Sequence, residues 1–85
     1  MRPRPWGWRA EGMPNELRLF DGRGRQRASV WSNPDNVTWH TYDEYGTGGE
    51  NSVIWVPGRL DDAKDQVIAS IVRQGWAPGG WTVES

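Results

Sequence analysis

The chain has 85 residues, enough for one domain, and a formal net charge of −1. It contains no cysteine, which excludes a disulfide framework and a thiolate zinc site and favours a reducing compartment such as the cytoplasm. Its longest apolar stretch, residues 53–56, falls far short of the roughly 20 residues of a membrane helix, and no apolar run follows the opening Met-Arg-Pro-Arg-Pro-Trp, so neither a span nor an ordinary signal peptide is expected.

Residues 1–15 read as an extended basic arm. Pro3, Pro5, Pro14, Gly7 and Gly12 break regular structure, and Arg-Pro-Arg-Pro favours polyproline geometry. Trp6 and Trp8 either pin the arm to the rest of the chain or await a partner. Residues 16–85 then form a single α+β domain. Residues 16–21 alternate, with Leu17 and Leu19 on one side and Arg18 and Phe20 on the other, as a strand does. Asp21-Gly22-Arg23-Gly24 is hairpin turn chemistry. Residues 26–32 make a second strand, and Asn33-Pro34-Asp35-Asn36 a second turn.

Residues 37–43 are the clearest strand. Val37, Trp39 and Thr41 share one face and Thr38, His40 and Tyr42 the other, all residue types suited to a pleated sheet. Residues 43–51 hold Gly46, Gly48 and Gly49 and read as a loop. Residues 52–56 read as a fourth strand, ended by Pro57-Gly58. The helix follows: Leu60, Ala63, Val67, Ile68, Ile71 and Val72 fall at the spacing of one buried stripe. Asp61 or Asp62 is placed to cap its start, Arg73 suits its far end, and Gly75 fits the left-handed position that turns Trp76 back onto Ile71. Residues 81–83 form a short last strand or simply pack down. The expected fold is an antiparallel β-meander of three to four strands with one amphipathic helix on one face.

Charge divides unevenly along the chain. Residues 1–30 carry seven arginines against Glu11, Glu16 and Asp21, net +4, and residues 31–85 carry three basic side chains against eight acids, net −5. Such asymmetry implies two different surfaces. Nine of the ten basic residues are arginine, and with the many glycines, prolines and tryptophans this hints at a GC-rich coding sequence.

The seven tryptophans serve either as core or as binding hot spots. A single helix covers one sheet face, whereas alternation puts large residues on both. The aromatic set Trp31, Trp39, Tyr42, Tyr45 and Trp55 therefore needs cover from the arm and the tail, or from a partner. Trp6, Trp8, Trp39, Tyr42 and Trp55 are the expected protein contacts. The alternative is nucleic-acid binding through Arg18, Arg23, Arg25 and Arg27, with Arg2, Arg4 and Arg9 of the arm beside them. Arginines 23, 25 and 27 would share one direction along a strand and neutralise phosphates. Against this reading stands the overall charge, since nucleic-acid domains are usually basic.

Nothing in the chain has the pattern of a catalytic or cofactor site. Histidine is the residue type most often used for acid–base catalysis, but no serine or cysteine motif accompanies His40, and an ordinary cross-strand histidine is the simpler reading. Asp61, Asp62 and Asp65 resemble a magnesium cluster less than they resemble the acidic start of a helix. Gly46-Thr47-Gly48-Gly49 lacks the lysine and helix of a phosphate loop.

Trp-His-Thr-Tyr-Asp at 39–43, Gly-Thr-Gly-Gly at 46–49 and a helix ending Ile-Val-Arg-Gln-Gly-Trp at 71–76 together resemble small accessory proteins encoded by phages of high-GC actinobacteria. The resemblance spans residues 16–76. It implies expression in the host cytoplasm and binding to a host protein or a role in regulation, and it assigns no functional residue. The functional expectation is a non-enzymatic protein-interaction module without cofactor or metal, engaging a host protein or a second copy, and no membrane.

Overall fold

The computed structural model describes residues 4–84; Arg2 and Pro3 of the expected arm lie outside them. Five strands run in chain order before the helix: β1 (Trp6–Ala10), β2 (Glu16–Phe20), β3 (Gln26–Ser32), β4 (Val37–Tyr42) and β5 (Gly48–Ile54). Helix α1 (Leu60–Arg73) and the two-residue β6 (Val83–Glu84) follow. All six strands form one sheet in the order β5-β4-β3-β2-β1-β6. The first five make an antiparallel meander, and β6 returns to lie parallel to β1, with Trp6 opposite Val83.

The α+β class and the single helix agree with the sequence, whereas six strands replace the expected three to four. The expected arm is largely β1, paired on both sides. Pro5 and Pro14 flank the strand rather than interrupt it, so the ladder loses no donor within Trp6–Ala10. The fourth sequence strand shifts to Gly48–Ile54, leaving Trp55 and Val56 beyond its end. Two of the three glycines that suggested a loop, Gly48 and Gly49, are its first two residues.

Period-2 alternation sorts the rows across the sheet. Leu17, Val30, Trp39 and Ser52 form one row, and Leu19, Ala28 and Thr41 the next. These face α1, which buries Ala63, Val67, Ser70 and Ile71 against β3 and β4. Val72, placed in the stripe by spacing, is 56% exposed, because one residue past Ile71 lies about 100° further round the helix. Asp61 and Asp62 stand in the first turn, and Arg59 occupies the cap without a side-chain bond. The expected aspartate cap is therefore absent, although both carboxylates suit the helix dipole.

The C-terminal end of α1 closes as the sequence indicates. Gly75 has φ +76°, the Gly75 N–H donates to Val72 C=O at 3.0 Å, and the Trp76 N–H donates to Ile71 C=O at 3.0 Å. This is the paired Schellman arrangement, and it sends the chain back under the sheet. Trp76, Ala77, Trp81 and Val83 then pack against the core, and Trp81 meets Trp6 edge-to-face at 4.8 Å. The tail thus extends the cover of the helix side rather than reaching the other face. Tail and β1 between them leave the second sheet face uncovered among the described residues.

Candidate functional site

The helix-free face carries two rows, Arg18–Ser29–His40–Asn51 and Glu16–Trp31–Thr38–Val53. Its residues shield one another. Arg9 lies over the Phe20 ring at 4.3 Å, and His40 and Tyr42 stack with centroids 4.7 Å apart and planes 5° from parallel. Glu16 is only 4% exposed beneath Arg18, whose Nε donates to it at 2.8 Å, while the Met13 N–H donates at 3.1 Å. The Arg18 bond, helped by Met13, outweighs burial and holds the Glu16 carboxyl below its usual range. A shallow cleft of about 370 Å³ lies between Arg18, Trp31 and Tyr42.

The outer boundary of this face is β5, an edge strand of seven residues. Glu50 turns its backbone N–H inward onto Thr41 Oγ1 at 2.9 Å, so alternation turns the N–H and C=O of Asn51 and Val53 outward. The strand contains no lysine, arginine or proline. Its single acid, Glu50, accepts Ser70 Oγ and Arg73 Nη2, each at 2.6 Å, and those two bonds lower its pKa. Charge, proline and bulges are the usual protection of an exposed edge. Here the one charge is paired toward the helix, proline is absent, and the bulge that sets Gly49 and Glu50 opposite Thr41 lies in the first half of the strand, leaving residues 51–54 regular. Large apolar side chains flank it: Tyr45 at 83% exposure before the strand, and Trp55 at 75% with Val56 at 46% after it.

The tryptophans expected to bind a partner are not gathered into one surface. Trp6 and Trp39 are core residues, 3% and 5% exposed. The Trp39 indole N–H donates to Gln66 Oε1 on the helix at 2.8 Å. Trp8 is half-buried on the helix side with the Lys64 ammonium 5.4 Å from its ring. Tyr42 belongs to the helix-free face, and only Trp55 stands free in solvent.

The arginine ridge does not form. A bulge between β2 and β3 sets Phe20 opposite Gln26 but Leu19 opposite Ala28, and the extra residue, Arg27, turns onto the helix side. There it is 5% exposed and packs over the Trp6 ring at 4.7 Å. Its Nε donates to Tyr42 C=O at 3.0 Å, and its Nη1 donates to Asp21 at 3.4 Å. Arg25 pairs with Asp21 and Glu44, and Arg18 with Glu16. Of the four, only Arg23 has no ion pair among the described residues.

Sequence reasoning missed the full edge because residues 48–51 of β5 read as part of a glycine loop and the strand was placed at residues 52–56. Tyr45 appeared there only as one of several aromatics, and Val56 as a strand residue. No group of three or more His, Cys, Asp or Glu side chains suited to a metal occurs among the described residues. No helix among them is long and apolar enough to cross a membrane. Compared with protein-family models, curated proteins and solved structures, the chain matches none.

Proposed function

We propose that the protein is a non-enzymatic protein-interaction module that works through strand addition at β5, and that its partner there is β5 of a second copy. The supporting observation is the edge strand whose second half is regular and uncharged, with exposed aromatic residues at both of its ends. Strand addition supplies affinity through backbone bonds and specificity through the flanking side chains. An antiparallel pairing centred on Asn51 joins the two Asn51 residues by a pair of backbone hydrogen bonds and brings Val53 of each copy toward the bulged Gly49 of the other. The same two-fold brings the Tyr45 end of one chain to the Trp55 end of the other. Glu50 would face Ser52 rather than another acid, so no like charges meet across the junction. The cysteine-free composition suits the cytoplasm as the place of action.

The test is sedimentation of the chain and of two variants. Asn51→Pro removes an outward N–H that β4 does not use, and Trp55→Lys adds a guard beside the edge. A concentration-dependent dimer that both variants dissociate, with the helical circular dichroism retained, is the expected result. A chain that remains monomeric at about 100 μM, or a dimer that neither variant weakens, refutes the reading.

A further inference from the structure

We infer that the cleft at the β2–β3 turn binds a phosphate monoester of about mononucleotide size. The cleft has a volume of about 740 Å³, within the range of small-molecule sites and far more than a bare anion fills. Arg4, Arg23, Arg25 and Arg27 line it, against two acids, Asp21 and Glu44. The lining is therefore net +2, and a phosphate monoester near neutral pH carries close to the complementary −2.

Two of the donors, Arg25 and Arg27, are held in place rather than free on the surface. Asp21 builds the turn: its Oδ1 accepts the N–H of Arg23 at 2.9 Å and of Arg25 at 3.0 Å. Its Oδ2 accepts Arg25 Nε at 3.2 Å and Arg27 Nη1 at 3.4 Å. With both oxygens engaged, Asp21 organises the arginines. Arg27 is a guanidinium 5% exposed whose Nε and Nη1 are engaged, while its Nη2 has no hydrogen-bond partner among the described residues. Every fully buried side-chain nitrogen or oxygen described has a partner, so Nη2 is not fully enclosed, and Arg27 lines the cleft. Burial of most of the group weakens screening, which strengthens its pull on an anion.

Arg4 and Arg23 are exposed and have no ion pair among the described residues. Gly22 lets Arg4 approach the turn that carries Arg23: a Cβ there would lie 2.8 Å from the Arg4 carbonyl oxygen. Trp76 and Pro78 form the apolar wall, a surface on which the flat part of an ester can lie while guanidinium forks take its phosphoryl oxygens.

The test titrates the full chain by calorimetry with adenosine 5′-monophosphate, inorganic phosphate and adenosine, at low and at physiological salt. Saturable monophosphate binding, competition by phosphate and no binding of adenosine are expected, with affinity falling as salt rises. The variant carrying Arg4→Gln and Arg23→Gln removes two exposed charges. It should weaken the monophosphate by at least about tenfold with an unchanged melting temperature. Gly22→Ala should weaken it with no charge removed, by displacing Arg4. No saturable binding of the monophosphate, equal binding of adenosine, or unaltered affinity in the double variant overturns the inference.

Discussion

Asp21→Asn is the most informative single substitution. Asparagine keeps the shape and one carbonyl oxygen, so the two turn N–H bonds at 2.9 and 3.0 Å survive. The second oxygen becomes an NH₂ group facing Arg25 Nε and Arg27 Nη1, donors against donors. Arg25 is 37% exposed on its side chain and recovers water at small cost. Arg27, at 5%, is left as a buried charge lacking its counterion, which costs about 3–5 kcal/mol. A domain of this size is stable by only about 4–13 kcal/mol, so the melting temperature falls by on the order of 15–30 °C. Adding Arg27→Met removes the stranded charge and leaves an apolar chain of similar reach against Trp6 and Trp76, so most of the loss returns. Urea unfolding followed by circular dichroism on both single variants and the double measures the cycle. A loss below about 1 kcal/mol for Asp21→Asn, or a double variant no more stable than Asp21→Asn, would show that the buried pair is not what holds this corner.

Acid exposes the same carboxylates. Burial alone would raise the Asp21 pKa, but the Arg25 and Arg23 N–H groups and the Arg25 and Arg27 charges outweigh it and bring it below 3.8; Glu16 sits below 4.5 through Arg18. Depressed folded values stabilise the fold fully above 4.5 and release that stability as pH falls below 3.8, so an acid titration of unfolding free energy should steepen there, and Asp21→Asn should flatten it. Gly75→Val forces a β-branched residue into a left-handed conformation at φ +76° and should cost about 1–2 kcal/mol in the same urea assay; an unchanged midpoint would contradict the Schellman closure.

Local chemistry made the helix, its glycine end and the central strands readable. The stripe through Ala63, Val67 and Ile71 is a property of spacing, as is the alternation of β4. What stayed hidden depends on partners distant in sequence. Gly7 is a poor strand residue, yet β1 is held by β2 on one side and β6 on the other. Gly48 and Gly49 join the sheet because β4 and the end of α1 dock around them, Glu50 bonding Ser70 and Arg73. A one-residue bulge decided where Arg27 points, and period-2 counting has no way to register it. The exposed edge was out of reach for the same reason, since a strand becomes an edge only through the order of the whole sheet.

Pairing β6 with β1 joins segments from nearly opposite ends of the chain, whereas each hairpin of the meander is local. Closing so long a loop is entropically the slowest of these contacts to be rewarded. The meander and helix are thus expected to assemble first, with Val83 and Trp81 docking last and undocking first. Trp6 loses its Trp81 neighbour in that opened form, so amide hydrogens of β1 should exchange faster than those of β3, a local fraying well short of global unfolding.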